Sequence, residues 1–270
     1  MLVPLSPCLI FGIGPFPALG IAGGGAALVV YYIGATAFLA WYILAGRNAV
    51  RLRWVRLEWR LFRDILGVGA LSTLSSLQTN LTVAVTTALV GAWFGPADVA
   101  GYGTAARLEY LLIPLVFGIG STLVAMVGMN VGAGQRRRGM RIAFFGGAAA
   151  FLLAETIGIL AAVFPDAWLR LFGNDPAMLA SGAAYLRTVG PFYGFYGLGF
   201  ALYFAMQGAG RLWWPLLGGF LRLVLAAGGG WLALHLTHAQ VWLYAALASG
   251  LLAYSGMLVA TAVRYRSEIS

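Results

Sequence analysis

The sequence contains no lysine, and all 17 of its basic residues are arginine. A phosphate-binding loop that ends in Gly-Lys-Ser/Thr is therefore excluded, and with it an ATP-driven pump subunit of that kind. A lysine Schiff base to retinal or pyridoxal phosphate is excluded for the same reason. Cys8 is the only cysteine, so the chain itself can form neither an intrachain disulfide nor a cysteine-based metal site.

Charged residues are scarce. They make up 9% of the 270 residues, whereas 61% are hydrophobic and the mean hydropathy is +0.87. These values lie outside the range of soluble domains and predict an all-α integral membrane protein whose partner is the lipid bilayer. The net charge of +9 comes from arginines in short segments between apolar runs, where they set orientation, so nucleic acid is not an expected partner.

The apolar runs predict about seven membrane-spanning helices. They cover approximately residues 21–45, 65–94, 99–131, 142–164, 185–207, 213–234 and 241–263. A basic segment at 47–64 separates residues 1–46 from a predicted six-helix bundle at 65–266. With this topology, the side predicted to be cytoplasmic receives most of the arginines and the C-terminus. These are the arginines at 47, 51, 53, 56, 60, 63, 136, 137, 138, 141, 211, 264 and 266.

The second predicted span is rich in hydroxyl and amide side chains. Its serines and threonines recur at three- and four-residue steps, which places them on one face of a helix. Gln78 and Asn80 add larger polar groups. Two interpretations stay open: hydrogen bonding between packed helices, or a polar wall of a water-filled cleft in which Gln78 and Asn80 bind substrate.

The predicted helix at 185–207 carries a stripe of rings. Tyr193, Tyr196, Phe200, Tyr203 and Gln207 follow one another at steps of 3, 4, 3 and 4 residues, so they share one face. Aromatic faces attract organic cations by about 0.5–2 kcal/mol each. The stripe is a candidate binding surface for substrate through its tyrosines and Gln207, and packing against other helices is the alternative.

Four charged residues lie inside apolar runs, where each needs a partner or water. They are Arg107, Glu109, Glu155 and Arg222. Residues two apart on a helix point to nearly opposite sides, so the partner of Glu109 is expected on another helix rather than at Arg107. The arginines are predicted to be structural charges. Glu109 and Glu155 are either their partners or the groups that take up and release a coupling ion.

An enzyme is not predicted, because the sequence shows no nucleophile and base pair and no phosphate-binding glycine loop, so no catalytic residue is assigned. His235 and His238 lie at a predicted helix end without a third ligand type beside them. A solvated turn accounts for them better than a metal site does.

Two segments resemble one known family. Residues 105–134 resemble the eighth helix of multidrug and toxic compound extrusion (MATE) transporters, and residues 9–27 resemble the connection between the fifth and sixth helices of that family. In the longer segment the matching residues are Arg107, the proline and glycines at mid-helix, Val127, Gly128, Asn130 and Gly132 to Gln135.

The resemblance implies a two-lobe secondary transporter of the bacterial inner membrane that exports drugs or organic cations in exchange for H+ or Na+ and needs no cofactor. Residues 1–46 would be the end of the first lobe and 65–266 the second lobe. The acidic residues that the family carries in its seventh and tenth helices are missing here, where Ser76, Leu77 and Gln78 stand in the seventh.

The first five family helices have no counterpart in the sequence. The chain is therefore expected to be a truncated gene product, the product of a mis-called start or one part of a split transporter, with the missing N-terminal lobe on the same or another chain. Three alternatives remain: a flippase for lipid-linked oligosaccharides from the same superfamily, a seven-helix receptor, and a membrane fragment that does not transport.

Overall fold

A computed structural model describes residues 2–13, 15–46 and 58–267. Within these ranges the chain forms helices, turns and short connections and no strand. The chain divides into two compact units, Met1–Phe62 and Arg63–Ser270. Residues 47–57, most of the predicted basic connector, lie outside the described residues.

The smaller unit pairs two helices, α1 (Leu2–Phe11) and α2 (Ile21–Leu44). The connection returns onto the end of α1, where the Leu19 N–H donates to the Leu9 carbonyl oxygen at 3.0 Å. The two helices approach so closely at Gly23 that a Cβ there would lie 2.5 Å from the Leu9 carbonyl carbon. A small residue is therefore needed at the crossing.

The larger unit is a bundle of long helices with two short ones. The long apolar runs separated by glycine and proline predict this pattern. The helices are α3 (Trp59–Trp93), α4 (Pro96–Gly132), α5 (Arg136–Val163), α6 (Pro165–Leu169), α7 (Pro176–Val189), α8 (Tyr193–Gly208), α9 (Trp213–Val224), α10 (Gly230–Thr237) and α11 (Gln240–Ser267).

Local chemistry fixes several helix ends. Gly134 and Gly210 have φ of 75° and 72°, a left-handed conformation that favours glycine, and each follows the last turn of a long helix. At the start of α7, the Asp175 side chain accepts a hydrogen bond from the Met178 N–H at 2.8 Å. The two glycines keep the turns between α4 and α5 and between α8 and α9 short.

Two helical segments are interrupted. The sequence predicts one helix over 185–207, but a 3-10 turn at Gly190–Phe192 separates α7 from α8. Pro191 lies in that turn and has no N–H to continue an α-helix. A π-helical turn at Leu225–Gly229 joins α9 to α10 and begins three residues after Arg222. Such turns are frequent next to functional sites.

The core of the bundle depends on close helix contacts at small residues. α5 packs along α8, and both pack on α4. A Cβ at Gly197 of α8 would lie 2.9 Å from the Ala154 Cβ of α5. Gly158 of α5 lies against the carbonyl of Gly190 in the 3-10 turn. Glycine at these positions lets the backbones approach, as in many membrane helix pairs.

Gly158→Val is expected to lower the thermal stability of the protein, because a side chain at position 158 would overlap the Gly190 carbonyl oxygen and the Cβ of Tyr193. Overpacking of this kind costs about 1–3 kcal/mol. Thermal unfolding of the purified protein in detergent measures the effect. Gly103→Val is the matched control, because nothing lies within 4 Å of a Cβ at Gly103. Equal melting temperatures for the two variants would contradict this account.

Among the described residues, five helical segments are long and apolar enough to cross a membrane. They are Ile21–Leu44, Pro96–Gly132, Arg136–Val163, Trp213–Thr237 and Gln240–Ser267. An all-α, multi-pass membrane protein is thereby confirmed. The other two predicted spans correspond to α3, which carries many hydroxyl and amide groups, and to α7 with α8, which the 3-10 turn divides. That these two also cross the membrane stays a prediction.

Candidate functional site

A cavity of about 320 Å³ lies between α3, α4, α8, α9 and α11. We call it the central cavity. One wall carries hydroxyl and amide groups from α3, and another carries aromatic rings from α8. The other three helices contribute Phe117, Pro215, Gly219, Arg222 and Tyr254. Its size and its mixture of rings with a few polar groups are typical of sites for small organic molecules.

The rings on α8 form a regular series. The Tyr196 and Phe200 rings are 5.7 Å apart and tilted by 10°, and those of Phe200 and Tyr203 are 6.4 Å apart and tilted by 8°. All three line the central cavity, and we call them the ring ladder. Near-parallel rings at one-turn spacing present a continuous π-surface, to which planar or cationic molecules bind at several heights.

The hydroxyl groups on α3 face the ring ladder and consist of Ser72, Ser75, Ser76, Thr79 and Thr82. We call them the hydroxyl wall. Four of them donate to a carbonyl one turn earlier in their own helix, at 2.9–3.3 Å. The Ser72 oxygen accepts from the Tyr203 hydroxyl at 3.4 Å. Because these protons are used within the helix, the wall presents mainly acceptor lone pairs to the cavity.

Four of the six residues that the sequence assigns to substrate binding meet in the central cavity: Gln78, Tyr196, Tyr203 and Gln207. The Gln78 amide is 4% exposed and donates to the Leu216 carbonyl oxygen of α9 at 3.3 Å. Its orientation is therefore fixed from the neighbouring helix, with its oxygen held against Gly219.

The other two, Asn80 and Tyr193, do not line the cavity. Asn80 is exposed on another face of α3, two residues beyond Gln78, and its amide donates to the Ser76 carbonyl oxygen at 2.9 Å. Tyr193 is fully buried among core residues, and its hydroxyl has no hydrogen-bond partner among the described residues. The stripe on α8 thus passes from the core at Tyr193 into the cavity at Tyr196.

Glu109 forms an ion pair with Arg222, a residue on another helix. The Arg222 guanidinium nitrogen lies 3.7 Å from the Glu109 Oε2, and the side chains are 12% and 19% exposed. The Tyr185 hydroxyl of α7 donates to the Glu109 Oε1. The Arg222 Cζ also lies 5.2 Å from the centroid of the Tyr196 ring. The arginine therefore contacts both the carboxylate and the ring ladder.

Glu109 does not line the central cavity itself. It lines a smaller cavity of about 30 Å³, whose wall shares Thr79, Thr82, Tyr196 and Arg222 with the central one. Arg222 consequently lies between the two spaces. A change in the charge of Glu109 changes the charge balance in the wall of the central cavity through this arginine.

Glu155 has a local structural role. Its Oε2 accepts a hydrogen bond at 2.7 Å from the N–H of Gly194, in the first turn of α8. The first N–H groups of a helix lack partners within the helix. A carboxylate beside them is also stabilised by the positive end of the helix dipole. Glu155 lines neither of the two cavities described above. Its predicted part in ion coupling stays a prediction.

Arg107, which the sequence places inside an apolar run, is exposed on the surface of this unit, and its role as a structural charge stays a prediction. Its guanidinium carbon lies 5.4 Å from the centroid of the Phe172 ring, in the segment between α6 and α7. Arg107 lies on a face of α4 away from the central cavity, toward that segment. A cation on an aromatic face gains part of the stabilisation that a buried arginine would need from a carboxylate.

The two histidines form an aromatic cluster. The Trp93 ring lies 4.9 Å from that of His235 and 5.2 Å from that of His238. The His235 Nδ1 is 3.1 Å from the Trp231 carbonyl oxygen. Among the residues that the structure describes, no three His, Cys, Asp or Glu side chains come together in a group suited to a metal ion.

Sequence reasoning missed several ring residues at the site, among them Phe117, Phe204 and Tyr254 in the central cavity and Tyr185 beside Glu109. None of these residues belongs to the predicted stripe of rings, so no periodic pattern distinguishes them from core packing. Tyr185 becomes recognisable only when α7 is placed beside Glu109. A search for hydroxyl-bearing rings on helices neighbouring a membrane carboxylate would have included it.

This geometry defines a class: an all-helical, multi-pass membrane protein with a ring-lined cavity between its helices. The MatE family profile matches residues 72–232, which is more than half of the chain. The chain therefore belongs to the MatE family. This is a family of transporters, and the protein is not an enzyme.

Similar sequences carry transporter names. A FAD transporter of Shewanella oneidensis is 28% identical over 226 residues, which cover 82% of this chain and 49% of that protein. A probable multidrug resistance protein NorM of Thermotoga maritima is 24% identical over 224 residues, covering 81% and 47%. The chain spans about half the length of the curated relatives it matches.

Solved structures share the fold. An outward-facing multidrug resistance MATE family transporter superposes with a TM-score of 0.89 at 20% identity, over 100% of this chain and 60% of that one. A MOP superfamily transporter from Pyrococcus furiosus gives a TM-score of 0.88 at 19% identity, over 99% and 60%. At this identity the similarity shows the fold alone.

Proposed function

We propose that this chain is part of a MATE-type secondary transporter of the bacterial inner membrane that exports small organic cations by alternating access in exchange for H+. The observation that carries the proposal is the central cavity, whose Arg222 pairs with Glu109. Residues 1–46 would complete the first lobe, 47–64 would be the cytoplasmic connector, and 65–266 would form the second lobe with a cytoplasmic C-terminus.

The chemistry of the walls supports a cationic organic substrate. The ring ladder offers π-faces, each of which attracts a cation by about 0.5–2 kcal/mol. The hydroxyl wall offers mainly acceptor oxygens, which complement N–H donors on an amine or ammonium group. Gln78 and Gln207 add amide groups that accept as well as donate. A cavity without a fixed carboxylate in its lining favours loose binding of several related cations.

Charge balance supports H+ as the coupling ion. Arg222 repels a cation in the cavity unless the Glu109 carboxylate is ionised and compensates it. A proton on Glu109 removes that compensation, so proton uptake and cation binding oppose each other. Such opposition is reciprocal between the two ligands, and it is the requirement for exchange. Exchange with Na+ is the alternative, and it would need further oxygen ligands around Glu109.

Transport also needs a surface opposite the central cavity. Because the chain spans about half the length of its curated relatives, we propose that helices of a first lobe, on the same or another chain, provide that surface. Binding of a cation to the cavity and transport of that cation are therefore separate properties. The first depends only on residues of the larger unit.

The purified chain is expected to bind a fluorescent organic cation saturably and to release it when the solution is acidified. Fluorescence titration measures binding. Uptake into proteoliposomes under an imposed proton gradient measures exchange, with and without a coexpressed first lobe. Absence of saturable binding would refute the substrate class. Full exchange by the chain alone would refute the need for a first lobe. Lipid scrambling without cation binding would favour a flippase.

A further inference from the structure

A second cavity of about 320 Å³ lies between the start of α9 and the end of α11. We call it the basic cavity. Arg211 and Arg264 line it, together with Trp214, Met257 and Tyr265. Among the residues that the structure describes, the two cavities share no lining residue, and those lining the basic cavity include no acidic side chain. Export of a cation through the central cavity gives this positively charged space no role.

The basic cavity lies where three parts of the bundle meet. The guanidinium carbons of Arg136, at the start of α5, and Arg211, before α9, lie 5.7 and 5.1 Å from the centroid of the Tyr265 ring near the end of α11. One buried tyrosine ring therefore holds two arginines from different turns at the same end of the bundle. Arg264 lies one residue before it, so positive charge is concentrated around the cavity.

The arrangement suits a phosphate group. A guanidinium carries five donors in a planar fork that matches two phosphate oxygens, and two such groups facing one space bind an anion more strongly than either does alone. Because each group has several donors, a contact with a neighbouring residue leaves others available for a ligand. The Thr261 hydroxyl donates to the Met257 carbonyl oxygen at 2.7 Å, so its oxygen lies in the wall as an acceptor for a protonated or hydroxyl-bearing group.

The rest of the lining is apolar, which favours a phospholipid over a free phosphate ion as the ligand. Met257, Ala260 and Trp214 continue the wall along α9 and α11, the two helices that pack together here. Trp214 is 41% exposed and its neighbour Trp213 is 60% exposed. Exposed tryptophans at a helix end are typical of the depth at which lipid headgroups lie.

We propose that the basic cavity binds the headgroup of an anionic phospholipid, with its phosphate between Arg211 and Arg264 and an acyl chain along Met257, Ala260 and Trp214. Basic pockets between membrane helices bind acidic headgroups elsewhere. Occupation would link α9, which carries Arg222 at its other end, to α11. The site is distinct from the proposed transport cavity, so the failure of either proposal leaves the other intact.

The test titrates the purified full chain in detergent with phosphatidylglycerol and with phosphatidylcholine of the same acyl chains, counting bound lipid by native mass spectrometry. Phosphatidylglycerol is expected to bind saturably and about tenfold more tightly, and Arg211→Gln with Arg264→Gln is expected to remove that preference. Arg137→Gln with Arg141→Gln is the matched control, because both arginines are exposed and lie outside the cavity. The control is expected to change the affinity less than about twofold.

Ala260→Trp is a second variant that keeps both arginines and fills the apolar part of the basic cavity. It should weaken phosphatidylglycerol binding. The concentration of inorganic phosphate that competes with the lipid should stay unchanged. The melting temperature of each purified variant in detergent reports that it is folded, independently of cation binding. Equal losses in the cavity and control variants would overturn the proposal in favour of diffuse surface charge. Competition by millimolar inorganic phosphate without any lipid preference would overturn it in favour of free phosphate.

Discussion

Glu109→Gln is expected to weaken the binding of organic cations at least about tenfold, a loss of about 1.4 kcal/mol, and to make binding independent of pH. Glutamine keeps the shape of the side chain but leaves Arg222 without its compensating charge, so a cation in the central cavity meets net repulsion. The variant reproduces the protonated state of Glu109. Fluorescence titration of the purified chain from neutral to acidic pH measures both effects.

The neutral double variant, Glu109→Gln with Arg222→Gln, is the decisive control. It removes both charges, so we expect cation affinity to return to within a few-fold of the original while the response to pH stays absent. Arg222→Gln alone should bind cations more tightly and keep its response to pH. The other titratable groups that line the small cavity beside Glu109 are tyrosines, at positions 102, 110, 185 and 196.

Stability distinguishes a folding defect from a binding defect. Removing one partner of a largely buried ion pair costs about 3–5 kcal/mol, whereas neutral replacement of both partners is often tolerated. Glu109→Gln should therefore melt at a lower temperature than the double variant. If Glu109→Gln binds cations as the unmodified protein does and still loses them on acidification, Glu109 is not the coupling group.

The sequence was informative about helix faces. The hydroxyl-rich run on α3 and the ring stripe on α8 were both visible as three- and four-residue spacing, and they became facing walls of one cavity. Periodicity works here because the 3.6-residue repeat of a helix converts spacing directly into a shared face. It does not specify where along the helix axis a cavity begins, so Tyr193 shares the stripe with Tyr196 but lies in the core.

The sequence does not show which residues on different helices contact one another. Glu109 was expected to have a partner on another helix, but neither Arg222 nor Tyr185 follows from spacing, because both depend on how α7 and α9 pack on α4. Glu155 shows the same limit. A carboxylate in an apolar helix suggests coupling, yet here it accepts from the Gly194 N–H, and the need for that bond arises only from the break before α8.

Phe200→Leu is expected to weaken cation binding about tenfold, because leucine retains most of the apolar volume but removes the π-face at the centre of the ring ladder. Phe200 lies between Tyr196 and Tyr203, within 6.4 Å and 10° of each ring. Its loss also interrupts the series of near-parallel rings between the two tyrosines. The dissociation constant of a fluorescent organic cation, measured by titration of the purified chain, reports the change.

Phe195→Leu is the matched control on the same helix. Phe195 contacts the rings of Phe151 and Phe192 and lies outside the lining of the central cavity, so the same substitution there removes a ring without changing the ladder. Phe200→Tyr restores a ring and should recover most of the affinity. Equal losses at positions 195 and 200 would mean that ring packing in α8, and not a π-surface for the substrate, explains the stripe. A neutral aromatic compound of the same shape should lose less affinity than the cation, because the ring quadrupole attracts positive charge.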